Sequence, residues 1–112
     1  MSDLLQIIVD QAAQAKPKPV VVPEWKTTVY FLPLTPAERI EIRRGIDPND
    51  QEDLLVSTLQ HKARDSEGNR IFDCSVIERA KLMKSIDMEV LQRVLIQAGS
   101  SVATDEEDLK ND

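Results

Sequence analysis

Residues 51–64 form an uninterrupted helix-favouring run, Gln-Glu-Asp-Leu-Leu-Val-Ser-Thr-Leu-Gln-His-Lys-Ala-Arg, which leads into the reversal Asp65-Ser66-Glu67-Gly68-Asn69-Arg70. Leu55, Leu59 and Ala63 recur at helical spacing beside Leu54 and Val56, so one stripe of this helix must be covered by other elements. That requirement makes it the central helix. In the reversal, Gly68 or Asn69 can take positive φ, and the chain returns so that Ile71 and Phe72 pack back on the core.

A chain of 112 residues with 41% hydrophobic side chains is long enough for one modest core and too short for two. Aromatics make up only 4%, so the core is aliphatic, as in packed helices rather than in a sandwich or barrel. The expected fold class is α+β and mainly helical, with five or six short helices and one β-hairpin. A single domain is expected over residues 1–99. Residues 100–112 carry five acids against one lysine, hence −4 of the net −6, and almost no apolar residues; a disordered acidic tail is expected there.

Taken in order, Ser2-Asp3 caps an amphipathic helix bearing Leu4, Leu5, Ile8, Val9 and Ala12, which ends near Ala15. Lys16-Pro17-Lys18-Pro19 cannot continue it, since each proline lacks an amide donor and its ring clashes with the preceding turn. Val20 to Val22 and Thr27 to Leu32 are β-branched and aromatic, and Pro23-Glu24-Trp25-Lys26 reverses the chain between them. Period-two alternation puts Val29 and Phe31 on one face of the hairpin and Tyr30 and Leu32 on the other. Both faces are apolar, so the second is expected to be covered by another chain.

Thr35-Pro36-Ala37-Glu38 combines a hydroxyl cap, proline at the first helical position and glutamate three residues on. The short helix that follows carries Ile40 and Ile42 and stops at Gly45. Asp47-Pro48 or Asp50 caps the central helix. Ser75-Val76-Ile77-Glu78 repeats the capping pattern, with Val76, Ala80 and Met83 predicted to line the apolar face as far as Lys84. Ser85 and Asp87 restart a last helix whose stripe is Met88, Leu91, Leu95 and Ala98, widened by Val90 and Val94 and stopped by Gly99.

Residues of catalytic type do not form a constellation. His61 is the only histidine, and on a polar helix face it reads as a solvated side chain; Cys74 lies in another segment and reads as a small buried or half-buried group in a reducing compartment. The turn from Asp65 to Arg70 lacks the alternating ligands and closing glutamate of a calcium loop. No catalytic, metal or cofactor site is expected. The acids Glu78, Asp87 and Glu89 weigh against a helix-turn-helix reading of Ser75 to Gly99, and an acidic chain with mixed helix faces is poorly matched to nucleic acid. No run approaches the ~20 apolar residues of a membrane span, and the N-terminus lacks a signal-peptide pattern, so an intracellular protein with no membrane partner is expected. What remains is apolar surface. Trp25, Tyr30, Leu32 and Leu34 near the hairpin, and Met88, Leu91 and Leu95 on the last helix, are the candidate partner-binding residues, with the two patches pairing between copies.

The order of these elements resembles a known family. A leucine-rich first helix, Val22-Pro23-Glu24-Trp25, Val29-Tyr30-Phe31-Leu32-Pro33-Leu34-Thr35 with Ala37-Glu38-Arg39, and Asp65-Ser66-Glu67-Gly68-Asn69-Arg70-Ile71-Phe72 are similar to the tail assembly chaperones of long-tailed bacteriophages and prophages, from Leu4 to about Ala98. The chain departs from the pattern at Lys26, where glycine is common, at Phe31-Leu32, where arginine often occurs, and at Pro36, where glycine is frequent. The resemblance implies a non-enzymatic protein of the host bacterial cytoplasm, absent from the mature virion. It implies binding and solubilising of the tape measure protein, recruitment of tail tube subunits and homo-oligomer formation, with a longer frameshifted product beginning near the acidic tail. The rival expectation is a small acidic adaptor or regulatory interaction module.

Overall fold

The computed structural model describes residues 2–99, so the expected disordered tail over 100–112 lies outside the described residues. The element order is α1 (Ser2–Gln14), β1 (Lys18–Val22), a 3-10 turn (Pro23–Trp25), β2 (Thr27–Phe31), α2 (Pro36–Arg43), α3 (Gln51–Lys62), α4 (Val76–Ser85) and α5 (Met88–Ala98). The mainly helical α+β class is as expected: five α-helices and one antiparallel hairpin among the described residues.

The hairpin pairs Lys18 with Phe31, Val20 with Val29 and Val22 with Thr27. Pro19 lies opposite Tyr30. Tyr30 directs both its N–H and its C=O away from β1, to Arg64 at 2.9 Å each, so the amide that Pro19 lacks costs no ladder bond. Pro23 opens the connecting turn, and Lys26 closes it in the left-handed region at φ 55° and ψ 38°, its N–H reaching Pro23 C=O at 3.0 Å. Glycine suits that conformation best. The chain therefore keeps a glycine-like backbone at a position where it carries lysine.

Val20, Val22, Val29 and Phe31 face inward and meet Leu55, Val56 and Leu59 of α3 and Val90, Leu91, Val94 and Leu95 of α5. A second, smaller cluster joins Ile46, Leu54 and Leu34. The central helix is covered on more than the one expected stripe, because α2, α4 and α5 all pack on it. Every residue from Leu54 to Gln60 is buried, polar ones included. Ser57 Oγ donates to Ile42 C=O at 2.8 Å, Thr58 Oγ1 to Leu54 C=O at 2.7 Å, and Gln60 Nε2 to Asp73 C=O at 2.8 Å. Each of these side chains thus donates to a backbone carbonyl, which offsets its desolvation, although Gln60 Oε1 is left buried without a partner.

The capping signals of α2 to α5 form as the sequence predicts, whereas Ser2, expected to cap α1, is the first residue of that helix. Thr35 and Glu38 make a reciprocal capping box, and the side chains of Asp50, Ser75 and Asp87 accept the amides of Asp53, Glu78 and Val90. Gly99 ends α5 at φ 74°. The turn from Asp65 closes on Gly68 at φ 87°, with the Asp65 carboxylate accepting the amides of Glu67 and Asn69. The face of α4 is corrected: Val76, Ala80 and Met83 are exposed, whereas Leu82 and Ile86 turn toward the core. Arg79 fixes that rotation through a 3.0 Å ion pair with Asp53 on α3. Ile40 on α2 is exposed and Ile42 alone enters the core there.

Candidate protein-interaction surface

The residues expected to bind partners divide sharply. Leu91 and Leu95 are each 0% exposed, packed under β1. Neither reaches the surface, and the expected pairing of the Met88, Leu91 and Leu95 stripe with a neighbour's hairpin does not survive: the chain's own valines cover that stripe. Met88 sits at the exposed margin. Tyr30 is half-buried beside Arg64, so the outer hairpin face is partly covered from within. Leu34 is half-buried against Ile46 and Leu54, and Leu32 is exposed at the end of the hairpin.

Leu32 and Leu34 line a small concavity of about 20 Å³ with Phe31, Pro33 and Lys62, and Trp25 lies in a much larger one. Between the turn end of the hairpin and α4, the half-buried side chains of Trp25, Phe72, Leu82 and Ile86, with exposed Ile71 at the rim and Val29 as floor, enclose an open groove of about 350 Å³. The fold builds it from two breaks in regular structure. Beyond Tyr30 the strand-like partner segment at Arg64 turns away into the Asp65 reversal, leaving the Thr27 end of β2 without a neighbour on that side. Phe72 and Ile71 then return across the gap without filling it.

Of the acids near the groove, Glu24, Glu78 and Asp87 are engaged, and the exposed Asp73 carboxylate beside Phe72 is not, among the described residues. Glu24 pairs with Arg93, with Nη2–Oε1 at 2.5 Å and Nη1–Oε2 at 2.8 Å. This hydrogen bond, followed by a bond to its own backbone amide, holds the Glu24 carboxyl at about 2. The Glu78 carboxylate accepts from the Asp73 amide while the Glu78 amide donates to Ser75 Oγ, and Asp87 caps α5. Lys26 and Lys81, each next in sequence to a groove residue, are exposed and make no ion pair among the described residues; Lys84 is equally unpaired but lies on the opposite side of α4 from Leu82. The other notable ion pair is remote: Lys62, almost wholly buried, bonds Glu38 at 2.8 Å and Pro33 C=O at 3.3 Å. Burial alone would raise the Glu38 carboxyl, but Lys62 and the Thr35 amide outweigh it and hold it below its usual value.

The second exposed apolar surface is α1. Leu4, Leu5, Ile7, Ile8 and Val9 keep between 51% and 64% of their surface open, and every residue from Asp3 to Gln14 is exposed among the described residues. The sequence shows the amphipathic pattern of this helix but not that its apolar face is left unpartnered; nothing in a periodicity distinguishes a helix docked on its own domain from one held out. The groove was likewise not legible, because its lining comes from three separated segments.

His61 is half-buried rather than solvated, with Nδ1 2.9 Å from Ser57 C=O. Cys74 is half-buried with Sγ 3.6 Å from Gln60 C=O and beside the Arg70 guanidinium, so the two residues of a conceivable dyad make separate structural contacts. Among the described residues, no cluster of three metal-ligating side chains occurs, and no helix is long and apolar enough to cross a membrane. No family model, curated protein or solved structure matches the chain.

Proposed function

We propose that this chain is a non-enzymatic tail assembly chaperone of the kind found in long-tailed phages, which binds the tape measure protein in the host cytoplasm, keeps it soluble and helps recruit tail tube subunits. The observation that carries the reading is the apolar groove between the hairpin and α4, whose form suits the apolar face of a helix. A helix seats in such a groove through side chains three and four positions apart, and a long helical client offers that pattern repeatedly. The motifs from Val22 to Thr35 and from Asp65 to Phe72 support the family, and two of them, Trp25 and Ile71-Phe72, line this groove. Acidic net charge favours solubility of the loaded complex.

Co-expression with the neighbouring tape measure protein tests this directly. The expected outcome is a soluble complex that co-purifies, with the tape measure protein insoluble when expressed alone. Recovery of the chain without it, while the tape measure protein remains insoluble, overturns the reading.

A further inference from the structure

Among the described residues, no other element covers the apolar face of α1, and the groove beside Trp25 stays open. A helix of 13 residues in isolation is marginal in water, where stable lone helices need at least ~12–15 residues even in favourable sequences. Helix α1 therefore depends on a docking partner for most of its stability. We infer that the partner is a second copy of this chain: α1 of one copy seats in the groove formed by Trp25, Phe72, Leu82 and Ile86 of the next.

Shape comes first. On α1, Leu4, Leu5, Ile8, Val9 and Ala12 share one broad face, while Asp3, Gln6, Asp10 and Gln14 share the opposite one. A cavity of roughly 150 Å³ takes one benzene-sized group, so the groove's volume of about 350 Å³ has room for about two large aliphatic side chains. Leu5 and Ile8, one turn apart at the middle of the apolar face, supply two. The groove is open along one side, as a helix rather than a small molecule requires.

The tether decides between the chain's own groove and a neighbour's. Only Ala15, Lys16 and Pro17 separate α1 from β1, a reach of about 10 Å at 3.3–3.6 Å per residue. They join β1 at Lys18, opposite Phe31, at the end of the hairpin remote from the Trp25 turn. The groove lies near Thr27 and Val29, on the far side of β2 from β1. To enter it, α1 would have to reverse within three residues and cross β2. Pro17 and Pro19 fix their own φ near −65° and push Lys16 and Lys18 into extended backbone, which directs α1 away from the body.

Charge agrees in sign. The charged side chains between Asp3 and Gln14 are both acids, whereas, among the described residues, the exposed lysines Lys26 and Lys81 adjoin groove residues in sequence, against one unpaired acid, Asp73. Opposite fields of this kind speed encounter more than they tighten the final complex, and the acids face solvent once the apolar side is seated. The same acids disfavour an anionic membrane surface as the occupant, since interfacial helices carry Lys and Arg on the polar face. Donor helix and acceptor groove are different surfaces, so the contact is heterologous and adds copies in sequence until it closes into a ring or continues as a filament. This inference rests on the proposed chaperone reading and specifies its self-association; a neighbour's α1 and a client helix exclude each other from the same groove.

Complementation between two full-length variants tests it. Leu5→Asp with Ile8→Asp spoils the donor helix, which contributes nothing to the core. Ile71→Asp, at the exposed rim, spoils the acceptor, and Ser85→Trp, which fills the groove from an exposed position, is the second acceptor variant should the first unfold by circular dichroism. Light scattering coupled to size exclusion is expected to show wild type as assemblies of several chains, each variant alone as single chains, and an equimolar mixture of donor-spoiled and acceptor-spoiled chains as a dimer that grows no further. A monomeric wild type, undiminished assembly of the Leu5→Asp, Ile8→Asp chain, or a mixture that stays monomeric overturns the inference. Failure here with tape measure capture intact removes the self-docking alone; loss of capture with complementation intact removes the client reading alone.

Discussion

Glu24 and Arg93 are 69 residues apart in the chain and meet through two charged hydrogen bonds that tie the hairpin turn to α5. Arg93 holds the Glu24 carboxyl at about 2, below its ordinary 4.5, and is itself raised by the same bond. The folded value lies below the unfolded one, so the pair's contribution is complete above about pH 4.5 and is lost as pH falls toward about 2. Glu24→Gln should flatten that part of the stability profile, by a small margin because both side chains are substantially exposed. Thermal midpoints of wild type and variant that run parallel between those pH values would show that the pair contributes nothing. Leu91 poses the opposite case. Its 0% exposure predicts that Leu91→Ala costs about 2–5 kcal/mol in urea unfolding, with no surface role to lose. Helical spacing identified Leu91 and Leu95 as apolar-face residues, but the valines that bury them lie some 70 residues earlier, and no local pattern tells a chain's own cover from a neighbour's.

Elements with strong end signals were legible almost to the residue. Thr35 with Glu38, Ser75, Asp87 and Gly99 each act over three or four positions, within the span that sequence exposes directly. Orientation was harder. The stripe of α4 could be read as Val76, Ala80 and Met83 because nothing local registers the Arg79–Asp53 pair that turns Leu82 and Ile86 inward. Similarly, the all-round burial of α3 follows from three helices packing on it, a fact about neighbours rather than about its own periodicity. The hairpin turn offers a sharper test. Lys26 holds a left-handed conformation that costs a side-chain-bearing residue roughly 1 kcal/mol or more. Lys26→Gly relieves this but adds freedom to the unfolded chain, at roughly 0.5–1 kcal/mol. A net stabilisation of up to ~1 kcal/mol is expected by urea denaturation; a clear loss would mean that the lysine side chain makes a stabilising contact of its own.

At the scale of the whole molecule, a body built from the hairpin and four helices carries α1 as an outlying arm. Removing residues 2–15 should leave the urea unfolding free energy of the dilute chain nearly unchanged, since every residue from Asp3 to Gln14 is exposed; a drop exceeding ~1 kcal/mol would show that α1 packs on the body after all. The sequence made the fold class and the existence of α1 legible, whereas the groove opposite the hairpin depends on how Trp25, Phe72 and Leu82 converge in space. The hairpin has a further consequence, at its outer margin. No strand pairs with that edge of β1 among the described residues, and on the outer face of the strand Val21 keeps 64% of its surface open. Such a margin is a template on which identical strands can stack into amyloid, and here the one residue that interrupts the template is Pro19, preceded by the charge of Lys18. A protein that must accumulate in quantity without fibrillising would depend on that single missing amide. Pro19→Val would complete a run of four valines and should bring thioflavin-positive fibres at concentrations where the wild type remains clear.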